Sequence, residues 1–138
     1  MQPFSLYQWM MGGEPTARLT VRLYSARTTP IPSQPTVGDF TECVYGGYQR
    51  IAFPPDTATV YRADGTGVLT FPALLWTWGP AGPVQTVAGA VYVATRTDGS
   101  EVVIGFEDFP SPQPMTQRGD DIVAQLVITA QPLVITVP

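Results

Sequence analysis

The chain has 138 residues, 44% apolar and only 13% charged, with seven arginines, no lysine, no histidine and one cysteine. That balance excludes a disordered chain, and a net charge of −4 without a basic stripe argues against nucleic-acid binding. The missing histidine removes the commonest general base and transition-metal ligand, and Cys43 alone forms neither an internal disulfide nor a multi-cysteine zinc site. The N-terminal stretch MQPFSLYQWMMGGEP has no positive n-region and no long apolar h-region, and no apolar run approaches the roughly 20 residues that span a bilayer. The expectation is a protein made in a cytoplasm, with no membrane partner and no nucleic-acid partner. So low a charge also hints at surface covered by partners, although a polar Thr/Ser/Gln surface explains it equally well.

The 13 glycines and 15 prolines cut the chain into short apolar runs, as in an all-β domain. Phe4, Tyr7, Met10 and Met11 recur at helical spacing before Gly12-Gly13, which predicts one short N-terminal helix within an arm over residues 1–14. Residues 17–25 alternate, with Leu19, Val21 and Leu23 on one face and Arg18, Thr20, Arg22 and Tyr24 on the other, a half-buried strand. Residues 28–38 hold Pro30, Pro32 and Pro35 and read as an extended loop. Residues 40–45 and 48–53 make a strand region broken at Gly46-Gly47 by a bulge or turn. Residues 57–62 and 67–71 flank an Asp64-Gly65 hairpin signal, and 73–78 form a further strand stopped by the loop 79–83. Residues 84–96, with Gly89 marking a bend, and residues 101–109 flank Asp98-Gly99, which predicts a type I′ hairpin. Residues 110–114 read as a loop, 120–130 as the last long strand, and 131–138 as an apolar tail able to add an edge strand or dock on a neighbour. The sum is a single domain over 1–138, an antiparallel two-sheet β-sandwich of about eight strands.

Candidate chemistry is thin. Glu107-Asp108 and Asp120-Asp121 lack the dense oxygen spacing of a calcium loop, and neighbours on a strand point to opposite faces. Cys43 lacks a histidine to activate it and reads as a small buried hydrophobe. Gly65-x-Gly67 and Gly12-Gly13 are turns, too short for phosphate cradles. No catalytic, cofactor-binding or metal-binding residue is expected. Trp76 and Trp78 share a strand face, and the pair serves either as core or as a platform that stacks on sugar rings. The apolar residues Phe4, Tyr7, Trp9, Met10 and Met11 need covering, by the domain's own sheet or by a partner.

Several blocks together resemble a family of small tailed-phage structural proteins. They are Leu19 to Ser25, the proline-rich loop, Val37-Gly-Asp-Phe-Thr-Glu-Cys-Val-Tyr-Gly-Gly-Tyr48, Trp76-Thr-Trp78, Val87 to Val93, the Asp98-Gly99 hairpin and Arg118 to Val123. The segment Asp39 to Tyr48, close to a "xDFTE(A/C)xxxGY" pattern, is the most specific. The resemblance implies a virion component, in the usual case a head decoration (cement) protein that binds and stabilises the major capsid protein shell, with some relatives in tails. It brings no catalytic residues and no cofactor, and capsid three-fold axes favour a homotrimer. The second reading is a glycan-binding module of a tail or fibre that uses Trp76 and Trp78.

Overall fold

Two long strands carry the architecture. In the computed structural model, which describes residues 18–53, 68–70, 73–80, 82–124 and 127–129, β1 (Arg18–Arg27) runs antiparallel to β6 (Gln85–Thr95), from Arg18↔Thr95 to Tyr24↔Gly89. On the other edge of β1 lie β2 (Phe40–Glu42), opposite residues 24–27, and β3 (Ile51–Phe53), opposite residues 19–21. These two are one interrupted strand, and residues 43–50 make an excursion between them. The break expected at Gly46-Gly47 is thus wider than a bulge. β7 (Glu101–Met115) pairs with the far side of β6, giving the order β2-β1-β6-β7. Two ribbons complete the described fold: β5 (Leu74–Thr77) with β8 (Asp121–Ala124), and β4 (Val68–Thr70) with β9 (Val127–Thr129). Every pairing is antiparallel, so the fold is all-β as expected.

The alternation of β1 is the one read from the sequence, but both faces are covered. Leu19, Val21 and Leu23 are fully buried in a core shared with Val87, Ala90, Tyr92 and Ala94 of β6 and with Leu74, Trp76, Ile122 and Ala124 of the β5–β8 ribbon. On the opposite face Tyr24 is also fully buried, in a second cluster with Phe40, Val91 and Val93, against which Ile31, Val37 and Phe106 pack. The face expected to be polar is therefore a second core, and Arg22 lies buried beside it.

Gly89 makes room for Tyr24 in the second core. The ladder to β7 shifts register between Val87 and Gly89, so Val87 and Ala90 face the same core although three residues apart, and Val91 and Val93 fill the other. At Gly89 any Cβ would overlap both the Tyr24 ring, laid across it from the paired strand, and the Glu107 carbonyl.

Three expectations are corrected. Residues 110–114 are not a loop, because β7 continues to the fully buried Met115. Its prolines are tolerated because residues 109–112 stand opposite Ala88 alone at the register shift, and because β7 has no further partner among the described residues. The strand expected over 120–130 is two strands, β8 and β9, with different partners. The turn at Asp98-Gly99 is not type I′, which needs positive φ at both positions. Only Gly99 is left-handed (φ 86°), Gly99 N–H bonds the Arg96 carbonyl (3.0 Å), and Arg96 N–H bonds that of Ser100 (2.8 Å), a type I turn closed by a glycine bulge. The helical arm 1–14, the Asp64-Gly65 turn and the tail 131–138 lie outside the described residues.

Replacing Gly89 by alanine should cost about 2–4 kcal/mol, since backbone and a buried ring must both give way. That is a fall of about 10 °C in melting temperature for a chain of this size. At Gly105 an added Cβ meets only the Tyr92 ring at 3.8 Å, so Gly105→Ala should cost under about 1 kcal/mol. Equal melting curves for the two variants would refute the role given to Gly89.

Candidate functional site

Three sets of polar side chains tie the main sheet and its excursion together. Tyr24 reaches across Gly89 and donates its hydroxyl to Asp108 Oδ1 (2.6 Å), the residue paired with Gly89 on the next strand. Arg27 forks onto the same carboxylate through Nε (2.9 Å to Oδ1) and Nη2 (2.8 Å to Oδ2), and its guanidinium lies over the Phe106 ring, 5.5 Å from the centroid. Phe40 fills the gap with ring centroids 5.1 Å from Tyr24 and 5.5 Å from Phe106. A second set joins Glu42 to Arg50 through two 2.8 Å bonds and to the Tyr48 hydroxyl at 2.6 Å, while Tyr48 accepts the Leu23 N–H at 3.2 Å. In the third, buried Arg22 pairs with Glu101.

The segment Asp39 to Tyr48 supplies much of this. Asp39 accepts the Thr36 N–H (2.8 Å) and so holds the short 3₁₀ turn Val37–Asp39 ahead of β2. Cys43 and Tyr45 are core residues. Gly46 docks backbone to backbone on the loop 79–83, donating to the Pro83 carbonyl (2.9 Å) and accepting from Gly79 N–H (2.7 Å). A Cβ on Gly46 would come within 2.5 Å of the Gly79 carbonyl, so only glycine fits this seam.

The groups whose ionisation is shifted all move away from neutrality. Arg27 first and then Tyr24 hold Asp108 below the usual carboxylate range, the Thr36 N–H does so for Asp39, and the Thr116 N–H for Asp120. Burial works against ionised Glu42, but its bonds to Arg50 and Tyr48 outweigh it and the net shift is downward. Burial first, then the Asp108 and Glu42 carboxylates respectively, push Tyr24 and Tyr48 up. Burial, with a smaller push from Glu42, raises the Cys43 thiol to about 12. A thiol so buried is a poor nucleophile near neutral pH.

The residues singled out from sequence fall in different places. Glu107 and Asp108 are adjacent on β7, and only Asp108 joins the clamp with Tyr24 and Arg27. Asp120 caps the turn before β8, accepting N–H groups from Thr116 (2.9 Å) and Gln117 (3.1 Å). Among the described residues no group of three His, Cys, Asp or Glu side chains is placed to hold a metal, and no helix is long and apolar enough to cross a membrane. Trp76 is only 4% exposed and donates its indole N–H to the Gln49 carbonyl (2.9 Å), while Trp78 is half-buried against the same core. The sugar-stacking platform of Trp76 and Trp78 is therefore corrected, because Trp76 belongs to the core and has no ring face to offer. Phe4, Tyr7, Trp9, Met10 and Met11 lie outside the described residues.

Sequence reasoning missed the apolar surface. Leu75 and Val123, cross-strand partners on the outer side of the β5–β8 ribbon, are 56% and 68% exposed. Val44 and Val84, brought close by a bond from Val44 N–H to the Gln85 side chain (2.7 Å), are also exposed. Between β7 and β8 runs a groove of about 390 Å³, walled by Phe109, Pro110, Ile122 and Val123 and carrying Glu107 and Asp121. The signal for the outer ribbon face lay in the alternation of Leu74 and Trp76 with Leu75 and Thr77. Comparison with protein-family models, curated proteins and solved structures found no match to this chain.

Because the native carboxyls of Asp39, Asp108 and Asp120 titrate below their unfolded values, the stability they add is present above about pH 4 and is lost as pH falls through the native values. The urea midpoint should change little between pH 6 and 8 and fall steeply below about pH 4. Asp108→Asn should lower the midpoint at pH 7 and flatten the acid decline. An Asn variant with an unchanged acid limb would show that the clamp carries none of it.

Proposed function

We propose that this chain is a structural protein of a tailed-phage virion, a decoration (cement) protein that binds the major capsid shell and works by docking, without a cofactor. In this reading the described sheets close as a two-sheet β-sandwich, with the β5–β8 ribbon and its neighbours over one face of the main sheet. One observation supports a binding role above all. The ionisable groups with shifted affinities are closed into structural pairs or held away from neutrality, whereas Leu75, Val123, Val44 and Val84 stand exposed. Surface of that kind marks contact with another macromolecule. The virion assignment rests on the phage-like blocks, chiefly Asp39 to Tyr48.

The shell contact is assigned to residues 1–14 on sequence alone, because Phe4, Tyr7, Trp9, Met10 and Met11 need covering and Gly12-Gly13 follows them in the chain. Three-fold sites on a shell make a homotrimer the expected assembly, made in the host cytoplasm and carried on the capsid surface. Deleting residues 1–12 should leave the melting temperature nearly unchanged and abolish sedimentation with empty capsids of the parent phage. Full occupancy by the truncated protein, or its unfolding, would return the arm to the domain core. Light scattering on the intact protein should give a trimer, and a monomer at tens of micromolar would contradict preassembly.

A further inference from the structure

The groove between β7 and β8 differs from every other charged region described above. Glu42, Glu101 and Asp108 each face an arginine, but Glu107 and Asp121, on opposite walls of the groove, have no ion pair or hydrogen bond among the described residues. Phe109, Pro110 and Val123 lie between and beside them, and Val123 leads onto exposed Leu75 across the ribbon. Two uncompensated carboxylates over an apolar floor suit a cation with an aliphatic stem, which lays its methylenes on the floor and its head on the rim. β7 and β8 each have one strand partner among the described residues, so an extended segment can lie along them.

We propose that this groove is a second docking surface, for an extended segment of a partner protein that alternates arginine or lysine with apolar side chains. The inference rests on the reading of the chain as a protein-binding module, and it assigns a contact independent of residues 1–14. A second copy is the poorer occupant, because two copies each carrying a net charge of −4 repel one another.

The test uses the intact, ¹⁵N-labelled protein and the peptide acetyl-Arg-Val-Arg-Val-Arg-Val-amide, with a glutamate-for-arginine peptide as control, and so needs no capsid. Binding should move amide signals of residues 107–110 and 121–124 and should weaken as salt rises. The double variant Glu107→Gln/Asp121→Asn should keep its melting temperature and bind roughly 3- to 10-fold more weakly, as expected for two exposed ion pairs. Leu75→Ser, on the fully outward face of the ribbon, should weaken binding without restoring it to the control peptide. No localised shift at millimolar peptide, equal binding of the glutamate peptide, or a self-association interface mapped to this groove would each overturn the proposal. Loss of capsid binding on deletion of residues 1–12 with normal peptide binding by the intact protein would leave both contacts standing, and the same loss with no peptide binding by the intact protein would remove the groove alone.

Discussion

The fold depends on the crossing of Tyr24 over Gly89. β6 sits between β1 and β7 and feeds a core from each face, Ala90, Tyr92 and Ala94 on one and Val91 and Val93 on the other. The register shift at Gly89 lets Val87 fill the first of these cores as well. The space left by the missing side chain is taken by the Tyr24 ring, whose hydroxyl is drawn to Asp108 on the far strand. One glycine thus ties three strands together and sets which residues meet which layer. The Arg27 fork and the rings of Phe40 and Phe106 then lock the same corner.

Low charge follows from this arrangement. With few ionisable side chains, the sheet uses Arg22 with Glu101 and Arg27 with Asp108 as ties between strands, and Arg50 with Glu42 as a tie across the excursion 43–50. The first two join positions 79 and 81 residues apart and so close topology, whereas Arg50 and Glu42, 8 apart, close the local excursion between β2 and β3. Exposed pairs of this kind contribute little singly. Arg27 and Glu42 gain more because each ion pair also engages a tyrosine hydroxyl that backs onto the core. Outside these ties stand exposed Leu75, Val123, Val44 and Val84.

Strand positions were legible wherever alternation ran unbroken. Leu19 to Leu23 and the Asp98-Gly99 reversal fall where the pattern places them, since side-chain period and turn chemistry are local. The rest was set by partners distant in sequence. Pro110 and Pro112 read as loop because proline cannot join a ladder, and only the excess residues opposite Ala88 show how the strand carries them. Residues 121–129 read as one strand because nothing local announces that β8 pairs with β5 and β9 with β4. Trp76 and Trp78 left core and platform both open, since a strand pattern gives the face but not what covers it. The same limit hid the outward Leu75–Val123 pair and the unpaired carboxylates of the groove.

The segment Asp39 to Tyr48, on which the proposed phage reading rests, is occupied with structure: a turn cap, a core aromatic, an ion pair, a buried thiol and a glycine seam. Such a segment preserves a scaffold, and the proposed partner contacts are therefore sought outside it. The most direct measurement is a cryo-electron microscopy map of the parent particle. The account predicts density for many copies of this β fold on the outer face of the head shell, grouped about its local three-fold axes. A head surface without it, with the protein confined to the tail or missing from the particle, would contradict the account.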